Sequence, residues 1–299
     1  MLITNVERAA NVELESLLDR REPDRLLMCE PTFFEVKDVK NAFMQGKINS
    51  VDVIKAGRQW EGLKIIFEQL GYQVEVIEAQ PGLEDMVFTA NQVLVGENFQ
   101  QKAYIVPSLM RYPSRQREVA HFRSWFESRG YGVIELPLGN DAQFTFEGHG
   151  DAIWHPGKKL LWGGYGHRTD IKAYEQLRRL INVPIIMLSL MHDTFYHLDT
   201  AFCALDKATV MIYPAAFTVE GIELIRYFFS NVIEITEQDA NNFACNALAL
   251  GRNVILEHGS KDACAKLRKR GFVPVEVNTS EFMKSGGSVF CLKMQFYSS

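Results

Sequence analysis

The chain lacks several features that would place it in a special class of protein. It has no CxxC pair among its five cysteines, no tract rich in proline, glycine or serine, and no apolar run of membrane-spanning length. Its start, MLITNVERAANVELE, has no basic segment followed by an apolar core, so we expect no secretory signal. These absences argue against a disulfide framework, a cysteine zinc site and a membrane protein, and they favour the cytoplasm.

An excess of positive charge is also absent. The chain has 32 Lys and Arg against 37 Asp and Glu, a net charge of −5. Because nucleic-acid-binding proteins usually show a basic surface, we expect no nucleic acid as partner. At 299 residues and 47% apolar the chain can bury a substantial core, and no linker divides it. We therefore predict one domain over residues 1–299, and the sequence leaves a homo-oligomer open.

What the sequence does contain is a fivefold repeat of a helix, a β-branched run and a second apolar segment. The helices are predicted at 51–70, 114–129, 169–180, 219–229 and 261–270. The β-branched runs are QVEVIEA, YGVIELP, VPIIMLSL, VIEIT and FVPVEVN. The second segments, read as strands with polar or reactive residues, are DMVFTANQVLV, EGHGDAIW, HLDTAFCAL, NFACNALAL and GGSVFCLKM. A repeat of this length is typical of a propeller, solenoid or array.

Turn signals predict how the repeats connect. The turns GENFQ, HPGK, LDKA and LGRN lead from the first four second segments into another strand, whereas the chain stops after the fifth. The run RLLMC at 25–29 has no partner, and pairing it with the last strand would close a ring and remove two exposed edges. We predict an α/β propeller of five ββαβ units with the helices outside. An open α/β sheet is the alternative.

A closed ring would bring one set of reactive residues to a common centre. Cys291 follows the turn sequence SGGS, and His197 and Glu147 occupy comparable places in other repeats. Because an imidazolium lowers the pKa of a nearby thiol and supplies a proton to a leaving group, the three residues indicate a nucleophilic site. The structural alternatives are a core thiol, a surface histidine and a glycine turn with capping acids.

Other polar residues have similar positions. Asp199 lies two residues after His197 and would hold the imidazole if both belong to one strand. Asn91 is unusual within a strand, which suggests a contact with a ligand. Arg115 and Arg168 carry the fork that binds a carboxylate, although either is equally explained as a charge at a helix start. The acids and histidine of EGHGD make a metal cluster conceivable, but the missing spaced His or Cys pairs argue against it. We expect neither a metal nor an organic cofactor, because a thiol and an imidazole supply covalent and acid–base catalysis.

These residues, in this order, resemble the guanidine-modifying superfamily of arginine deiminases, dimethylarginine hydrolases and glycine amidinotransferases. The resemblance extends from LLMCEP to GGSVFCL and implies the five-bladed α/β propeller called the pentein fold. It implies Cys291, His197 and Glu147 as the catalytic residues. It also implies that Arg115, in its PSR context, binds the substrate carboxylate, and that Arg168 corresponds to a second arginine.

Within this superfamily the resemblance is strongest to the bacterial arginine dihydrolases, which convert arginine to ornithine, ammonia and carbon dioxide. The segments that carry it are MCEP, VKNAFM, RQWEGL, DMVFTAN, FEGHGD, FYHLDTAFC, NFACN and the final GG…C. Deiminases and dimethylarginine hydrolases have an acid where this chain has Asn91, and Asn41 matches a second asparagine of the dihydrolases. Because a neutral amide can donate to a ureido oxygen, the two asparagines predict that citrulline is retained for a second hydrolysis.

The resemblance also implies a mechanism. Cys291 would attack the guanidinium carbon, Glu147 with Asp151 would hold the guanidinium, and Asp85 would shape that end of the site. His197 would protonate the departing ammonia and then activate water. One alternative is a single-step deiminase or dimethylarginine hydrolase that releases citrulline, and another is a non-catalytic pentein binding protein.

The chain departs from the family pattern at three places near these motifs. Gln92 and His149 stand where the relatives usually have small residues, and Ala42 stands where they usually have proline. Relatives of the dihydrolases can carry a further C-terminal domain that acts on ornithine. Since this chain ends soon after Cys291, no such domain is expected here.

Overall fold

The computed structural model describes residues 1–137 and 144–298, and these ranges contain sixteen strands and nine α-helices. The strands are β1 (Leu2–Ile3), β2 (Arg25–Cys29), β3 (Gln73–Ile77), β4 (Val93–Glu97), β5 (Ala103–Pro107), β6 (Gly132–Val133), β7 (Ala152–Trp154), β8 (Leu161–Tyr165), β9 (Ile185–Ser189), β10 (Phe202–Ala204), β11 (Thr209–Ile212), β12 (Asn231–Glu234), β13 (Leu248–Leu250), β14 (Asn253–Glu257), β15 (Val273–Val277) and β16 (Met294–Phe296). The helices are α1 (Val6–Ala9), α2 (Val53–Gln69), α3 (Pro113–Glu127), α4 (Gly148–Asp151), α5 (Ile171–Ile181), α6 (Val219–Phe228), α7 (Glu237–Asn241), α8 (Lys261–Lys269) and α9 (Ser280–Met283).

The strands form five small sheets, and four of them are built by one local pattern. In that pattern two strands pair antiparallel, a helix follows, and a third strand pairs parallel with the second. The units are β4–β5–α3–β6, β7–β8–α5–β9, β10–β11–α6–β12 and β13–β14–α8–β15. In the fifth sheet β2 and β3 pair parallel and are connected by α2, while β16, from the other end of the chain, pairs antiparallel with β2. Strand β1 adds a parallel edge to β9.

The predicted pairing of the run at 25–29 with the last strand is confirmed. Met294, Gln295 and Phe296 pair antiparallel with Leu27, Leu26 and Arg25 in turn. The molecule is therefore an α/β structure in which five ββαβ sheets are assembled, one of them from both ends of the chain. Their arrangement around a common axis stays a prediction.

The five long helices begin and end within about two residues of the predicted bounds, because their apolar spacing is visible in the sequence. Helix α2 shows this best, since the Asp52 side chain accepts from the Lys55 N–H at 3.0 Å and caps the helix. Its buried residues recur every three or four positions and cover one face; they are Ala56, Trp60, Leu63 and Phe67.

The second segment of each repeat is shorter as a strand than predicted. The strands begin only at Val93, Ala152, Phe202, Leu248 and Met294, and the polar half of each segment forms a turn or a short helix instead. Glycine and asparagine in these halves favour turns over extended backbone. As a result, the polar residues that the sequence placed in strands lie on the connections that enter the strands.

Among the residues that the structure describes, no helix is both long enough and apolar enough to cross a membrane.

Candidate functional site

Glu147 and His197 are brought together by the connections that enter β7 and β10. His197 Nε2 and Glu147 Oε2 lie 2.7 Å apart, and both residues are buried. Arg168 Nη1 donates to the same carboxylate oxygen at 3.1 Å, and the backbone N–H of Arg111 donates to the other at 3.0 Å. Burial raises the pKa of Glu147, but Arg168 and His197 outweigh it and hold that pKa below its usual range. Glu147 is thus a carboxylate that orients the imidazole.

The imidazole itself is neutral near pH 7. Burial lowers the pKa of His197 to about 4, against the opposing effect of Glu147. Its ring packs against Gly150, where an added Cβ would lie 3.1 Å from His197 Nδ1 and 2.3 Å from Asn91 Nδ2. Gly150 therefore lets the imidazole and the Asn91 amide approach from two sides.

Cys291 is held by two side chains from other connections. Its thiol donates to Asp199 Oδ2 at 3.2 Å, and Asn246 Nδ2 donates to Cys291 Sγ at 3.2 Å. Asn246 Oδ1 also accepts from the backbone N–H groups of Ser288 and Cys291 at 3.0 and 3.2 Å, which fixes the turn before the thiol. Burial, reinforced by Asp199, raises the pKa of Cys291 well above its ordinary value, so the thiol is protonated at neutral pH.

Asp199 does not hold the imidazole as the sequence predicts. Residues Leu198–Thr200 form a 3₁₀ turn, so the alternation of a strand does not apply and Asp199 faces Cys291 instead. Burial raises the pKa of Asp199 to about 7. Asp151 accepts the backbone N–H of Leu198 at 3.0 Å, and burial raises the pKa of Asp151 well above its usual range. Asp151 therefore fixes the turn that carries His197.

A small cavity of about 20 Å³ lies beside the thiol. Its walls include six of the residues predicted from the sequence, together with five side chains and one glycine that were not predicted. The predicted residues are Asn41, Asp85, Asn91, Arg115, Arg168 and Cys291. The others are Lys40, Met44, Phe88, Tyr196, Ser285 and Gly287. A cavity of this size holds about one water molecule, so a substrate as large as arginine requires its walls to move.

At one side of the cavity Asp85 and Asn41 form polar contacts with other residues of the chain. Asp85 Oδ2 lies 3.1 Å from the ammonium of Lys40, and Asp85 Oδ1 accepts from the Ser285 hydroxyl at 3.2 Å. Asn41 Nδ2 donates to the Ser285 carbonyl at 3.0 Å, while its oxygen caps the turn at Phe43. Lys40 was not found from the sequence, because nothing distinguishes a lysine in a polar loop before the fold buries it.

At another side Arg115 is enclosed by acceptors. It donates from Nη1 to Asn91 Oδ1 at 2.9 Å, from Nη2 to the carbonyls of Asp85 and Phe88 at 3.3 Å, and from Nη2 to Glu118 Oε2 at 3.0 Å. Glu118 was not predicted, although its spacing of three residues from Arg115 on a helix is the signal that would have found it. Asn246 lies in the fourth of the second segments, NFACNALAL, and its position in the repeat is the sequence signal that marks it.

The site thus has two halves. Among the described residues no hydrogen bond joins Cys291 to His197, and Asn91 lies between the halves, since it lines the cavity beside the thiol and packs against Gly150 with the imidazole. A thiol and a neutral imidazole on two sides of a bound group can perform nucleophilic attack and proton transfer. The part of the chain that the structure describes contains no group of three or more His, Cys, Asp or Glu side chains placed to hold a metal ion.

Comparison with known proteins identifies the family. The model of the family described as N,N dimethylarginine dimethylhydrolase, eukaryotic, matches residues 30–297. The N(G),N(G)-dimethylarginine dimethylaminohydrolase of Mycobacterium tuberculosis is 36% identical over 280 residues, which are 93% of this chain and 88% of that protein. The bifunctional arginine dihydrolase/ornithine cyclodeaminase AgrE of Nostoc sp. is 36% identical over 274 residues, 91% of this chain. The present chain spans only 37% of the length of AgrE.

Solved structures agree. The N-terminal domain of ArgZ, an arginine dihydrolase from cyanobacteria, was determined as a cysteine-to-serine mutant bound to substrate; it has a TM-score of 0.85, 33% identity, and covers 92% of this chain and 98% of that chain. A cysteine-to-alanine mutant of AgrE with L-arginine has a TM-score of 0.86 and 35% identity, over 93% of this chain and 40% of that one. The chain therefore belongs to the N,N-dimethylarginine dimethylhydrolase family, a family of hydrolytic enzymes that act on guanidino carbon–nitrogen bonds.

Proposed function

We propose that this chain hydrolyses the guanidine group of free arginine through a covalent intermediate on Cys291 and yields ornithine, ammonia and carbon dioxide. The observation that carries the proposal is the cavity that Cys291 and Asn91 line together, with the Glu147–His197 pair on the other side of Gly150. The names of the cyanobacterial relatives, arginine dihydrolases, support arginine as the substrate.

The first cycle begins when the thiolate of Cys291 attacks the guanidinium carbon. The carbon–nitrogen bond to one terminal nitrogen then breaks, and this nitrogen leaves as ammonia with a proton from His197. The product of this step is a thiouronium joined to Cys291. His197, now neutral, takes a proton from water, the resulting hydroxide attacks the same carbon, and the sulfur leaves to give citrulline. Glu147 stabilises the imidazolium that this cycle requires.

The substrate itself would activate the thiol. In the empty site the pKa of Cys291 lies well above its ordinary value because of burial and Asp199. A guanidinium cation placed beside the sulfur favours the thiolate and lowers that pKa. The released proton would pass to the neutral imidazole of His197, so the thiolate and the imidazolium form together in the presence of substrate.

In a second cycle Cys291 would attack the ureido carbon of citrulline. Loss of the second ammonia and hydrolysis of the resulting thioester-like adduct leave a carbamate, which releases carbon dioxide and ornithine. Asn91 supports this cycle because its Nδ2 is a neutral donor that can bind the ureido oxygen. Asn41 lines the same cavity, although both ends of its amide contact the protein in this state.

The two arginines would contribute unequally to binding the substrate carboxylate. The guanidinium of Arg168 makes one contact with Glu147 and one with the Lys40 carbonyl, and it stacks on Tyr196, with its carbon 4.5 Å from the ring centre. Several of its N–H groups thus stay free for a carboxylate. Arg115, which the sequence placed in this role, has most of its N–H groups occupied by Glu118, Asn91 and carbonyl oxygens, so we assign the larger part to Arg168.

A second candidate is a single-step hydrolase of dimethylarginine or arginine that releases citrulline. The family model and the Mycobacterium tuberculosis relative, a dimethylaminohydrolase, favour it. It shares the same first cycle and differs only in releasing the ureido product. The asparagine at position 91 is the reason to place it second.

We also propose that the five ββαβ sheets close around one axis as a pentein propeller in a single domain over residues 1–299. The pairing of β16 with β2 and the convergence of five connections and helix α3 on one cavity support this arrangement. We expect this chemistry to need no cofactor, because a thiol and an imidazole supply covalent and acid–base catalysis.

Product analysis by mass spectrometry tests the proposed function. The purified protein would be incubated in parallel with arginine, citrulline and asymmetric dimethylarginine, with Cys291→Ser as the control. The proposal predicts ornithine from arginine, with ammonia at twice the amount of ornithine and no product from the control. Citrulline as the final product would support the second candidate, and no turnover of any of the three would contradict both.

A further inference from the structure

Four buried side chains form one line of contacts that ends at the cavity. Gln92 Nε2 donates to Glu118 Oε2 at 2.7 Å, and Arg115 donates to the same carboxylate from Nε and Nη2 at 3.2 and 3.0 Å. Arg115 Nη1 then donates to Asn91 Oδ1 at 2.9 Å. All four residues are at least nineteen-twentieths buried, with exposures of 0% for Gln92, 1% for Glu118, 5% for Arg115 and 2% for Asn91. This chain of hydrogen bonds therefore runs from the core to the cavity with almost no exposure to solvent.

This line fixes the orientation of the Asn91 amide, whose oxygen faces Arg115 and whose NH₂ lies beside Gly150 and the His197 ring. A guanidinium can only donate hydrogen bonds, so the group next to Arg115 must be the amide oxygen. The NH₂ group then points the other way, and Asn91 Nδ2 is a buried donor with no acceptor among the described residues. An unsatisfied buried donor is costly in free energy, which marks this position as one that a ligand acceptor completes.

We infer that Gln92 and Glu118 are positioning residues that hold the Asn91 amide with its donor toward the substrate, and that they thereby favour the second hydrolysis. The inference rests on the proposed function. Guanidinium nitrogens are donors and gain nothing from a facing N–H, whereas the ureido oxygen of citrulline is an acceptor. An aspartate at position 91 would keep the contact with Arg115 and present an acceptor to the cavity instead.

Gln92 has a physical reason to be in this line. Burial raises the pKa of Glu118 to about 7, and Arg115 and the hydrogen bond from Gln92 act against this rise. Without the amide N–H the buried carboxylate has one donor fewer, and its hold on Arg115 weakens.

The test measures two quantities during arginine turnover, the rate of arginine consumption and the ratio of ornithine to citrulline released. Glu118→Gln is expected to lower that ratio about tenfold, since one hydrogen bond to a charged group is lost, while arginine consumption changes by less than about threefold. Gln92→Met keeps the volume and removes only the polar contacts, and it should lower the ratio in the same direction by less. The double variant should match Glu118→Gln alone, because Gln92 acts through Glu118.

Gln116→Ala is the matched control, since this glutamine lies on the same helix and donates to the Met110 carbonyl outside the line. It should leave the ratio unchanged. Variants that slow arginine consumption without changing the ratio, or that change neither, overturn the inference while leaving the proposed function in place. A wild-type protein that releases no ornithine contradicts the proposed function itself. If thermal melting shows that Glu118→Gln does not fold, the ratio for Gln92→Met decides.

Discussion

At the scale of single residues, burial and the neighbouring Asp199 together raise the pKa of the Cys291 thiol. Asp199 accepts a hydrogen bond from this thiol. An anion next to a thiol disfavours the thiolate, so removing the anion must lower the pKa. Replacing Asp199 by a neutral residue is therefore expected to lower the pKa of Cys291.

Asp199→Asn is expected to move the pH dependence of Cys291 alkylation to lower pH. At pH 8 the rate with iodoacetamide should rise about tenfold, which corresponds to a fall of about one unit in the thiol pKa. The same measurement on Cys291→Ser in both backgrounds subtracts the other four thiols. Coincident pH–rate curves for the two proteins would show that Asp199 does not control the thiol.

Asn91 gives the second prediction. Asn91→Asp replaces the donor that faces the cavity by an acceptor, which suits a guanidinium and not a ureido oxygen. The amount of citrulline per ornithine released from arginine should rise about tenfold, as expected for one hydrogen bond to a charged group. An unchanged ratio of citrulline to ornithine would show that Asn91 does not favour the second hydrolysis.

The sequence pointed to the residues that repeat position and resemblance both mark, and it missed those that only burial makes important. Cys291, His197 and Glu147 stand at comparable places in their repeats, and in the structure His197 contacts Glu147 while Cys291 contacts Asp199. Lys40 and Glu118 are ordinary charged residues in the sequence. Their contacts with Asp85 and Arg115 follow from tertiary burial, which a one-dimensional pattern does not contain.

At the scale of elements, the connections before the first strand of each unit position the polar residues of the site. The sequence predicted the helices closely because apolar spacing along a helix is a local signal. It assigned the polar part of each connection to a strand, because that part runs directly into the apolar strand that follows it. In the EGHGD connection the local signal against a strand is glycine, since Gly148 has a φ of +50° that strands do not use.

Gly148 lies in the connection that carries Glu147, and its replacement tests how closely that connection is packed. It has φ of +50°, and an added Cβ would lie 2.6 Å from the Val93 carbonyl oxygen and 2.7 Å from that of Asn91. Gly148→Ala should lower the free energy of unfolding by about 3 kcal/mol and displace Glu147, with a large loss of kcat/KM. Gly130→Ala is the control, because Gly130 also has positive φ, +81°, but open space around it.

Urea unfolding and steady-state kinetics measure both effects. Gly130→Ala should cost about 1 kcal/mol and leave activity intact, since only the backbone preference is lost. Equal stability losses and equal activities for the two variants would mean that close packing at Gly148 has no importance for the site.

At the scale of the whole molecule, the last strand ties the two ends of the chain together. Met294, Phe296 and Tyr297 are almost fully buried, and β16 pairs with β2. The sequence predicted this pairing because one run at each end lacked a partner. It could not give the order of contacts within the sheet, which depends on packing between distant side chains.

Removing residues 294–299 is therefore expected to abolish cooperative folding. Loss of several large buried side chains costs about 3 kcal/mol each, which together approaches the total stability of a typical domain. Removing residues 1–4 is the matched comparison, because β1 is a two-residue edge strand. Thermal melting should show a lowered but cooperative transition for that variant, and similar melting temperatures for the two truncations would contradict the importance of the β16–β2 pairing.

Intact-mass analysis of acid-quenched enzyme during turnover of arginine tests whether Cys291 forms a covalent bond with the guanidine carbon. The wild-type enzyme would be quenched within the first turnover, because His197 acts in both the formation and the hydrolysis of the intermediate and its replacement would slow both. Covalent catalysis predicts a mass increase equal to arginine minus ammonia, located by peptide mapping at Cys291 and absent from the Cys291→Ser variant. Turnover of arginine without any adduct at Cys291, or turnover retained in Cys291→Ser, would contradict it.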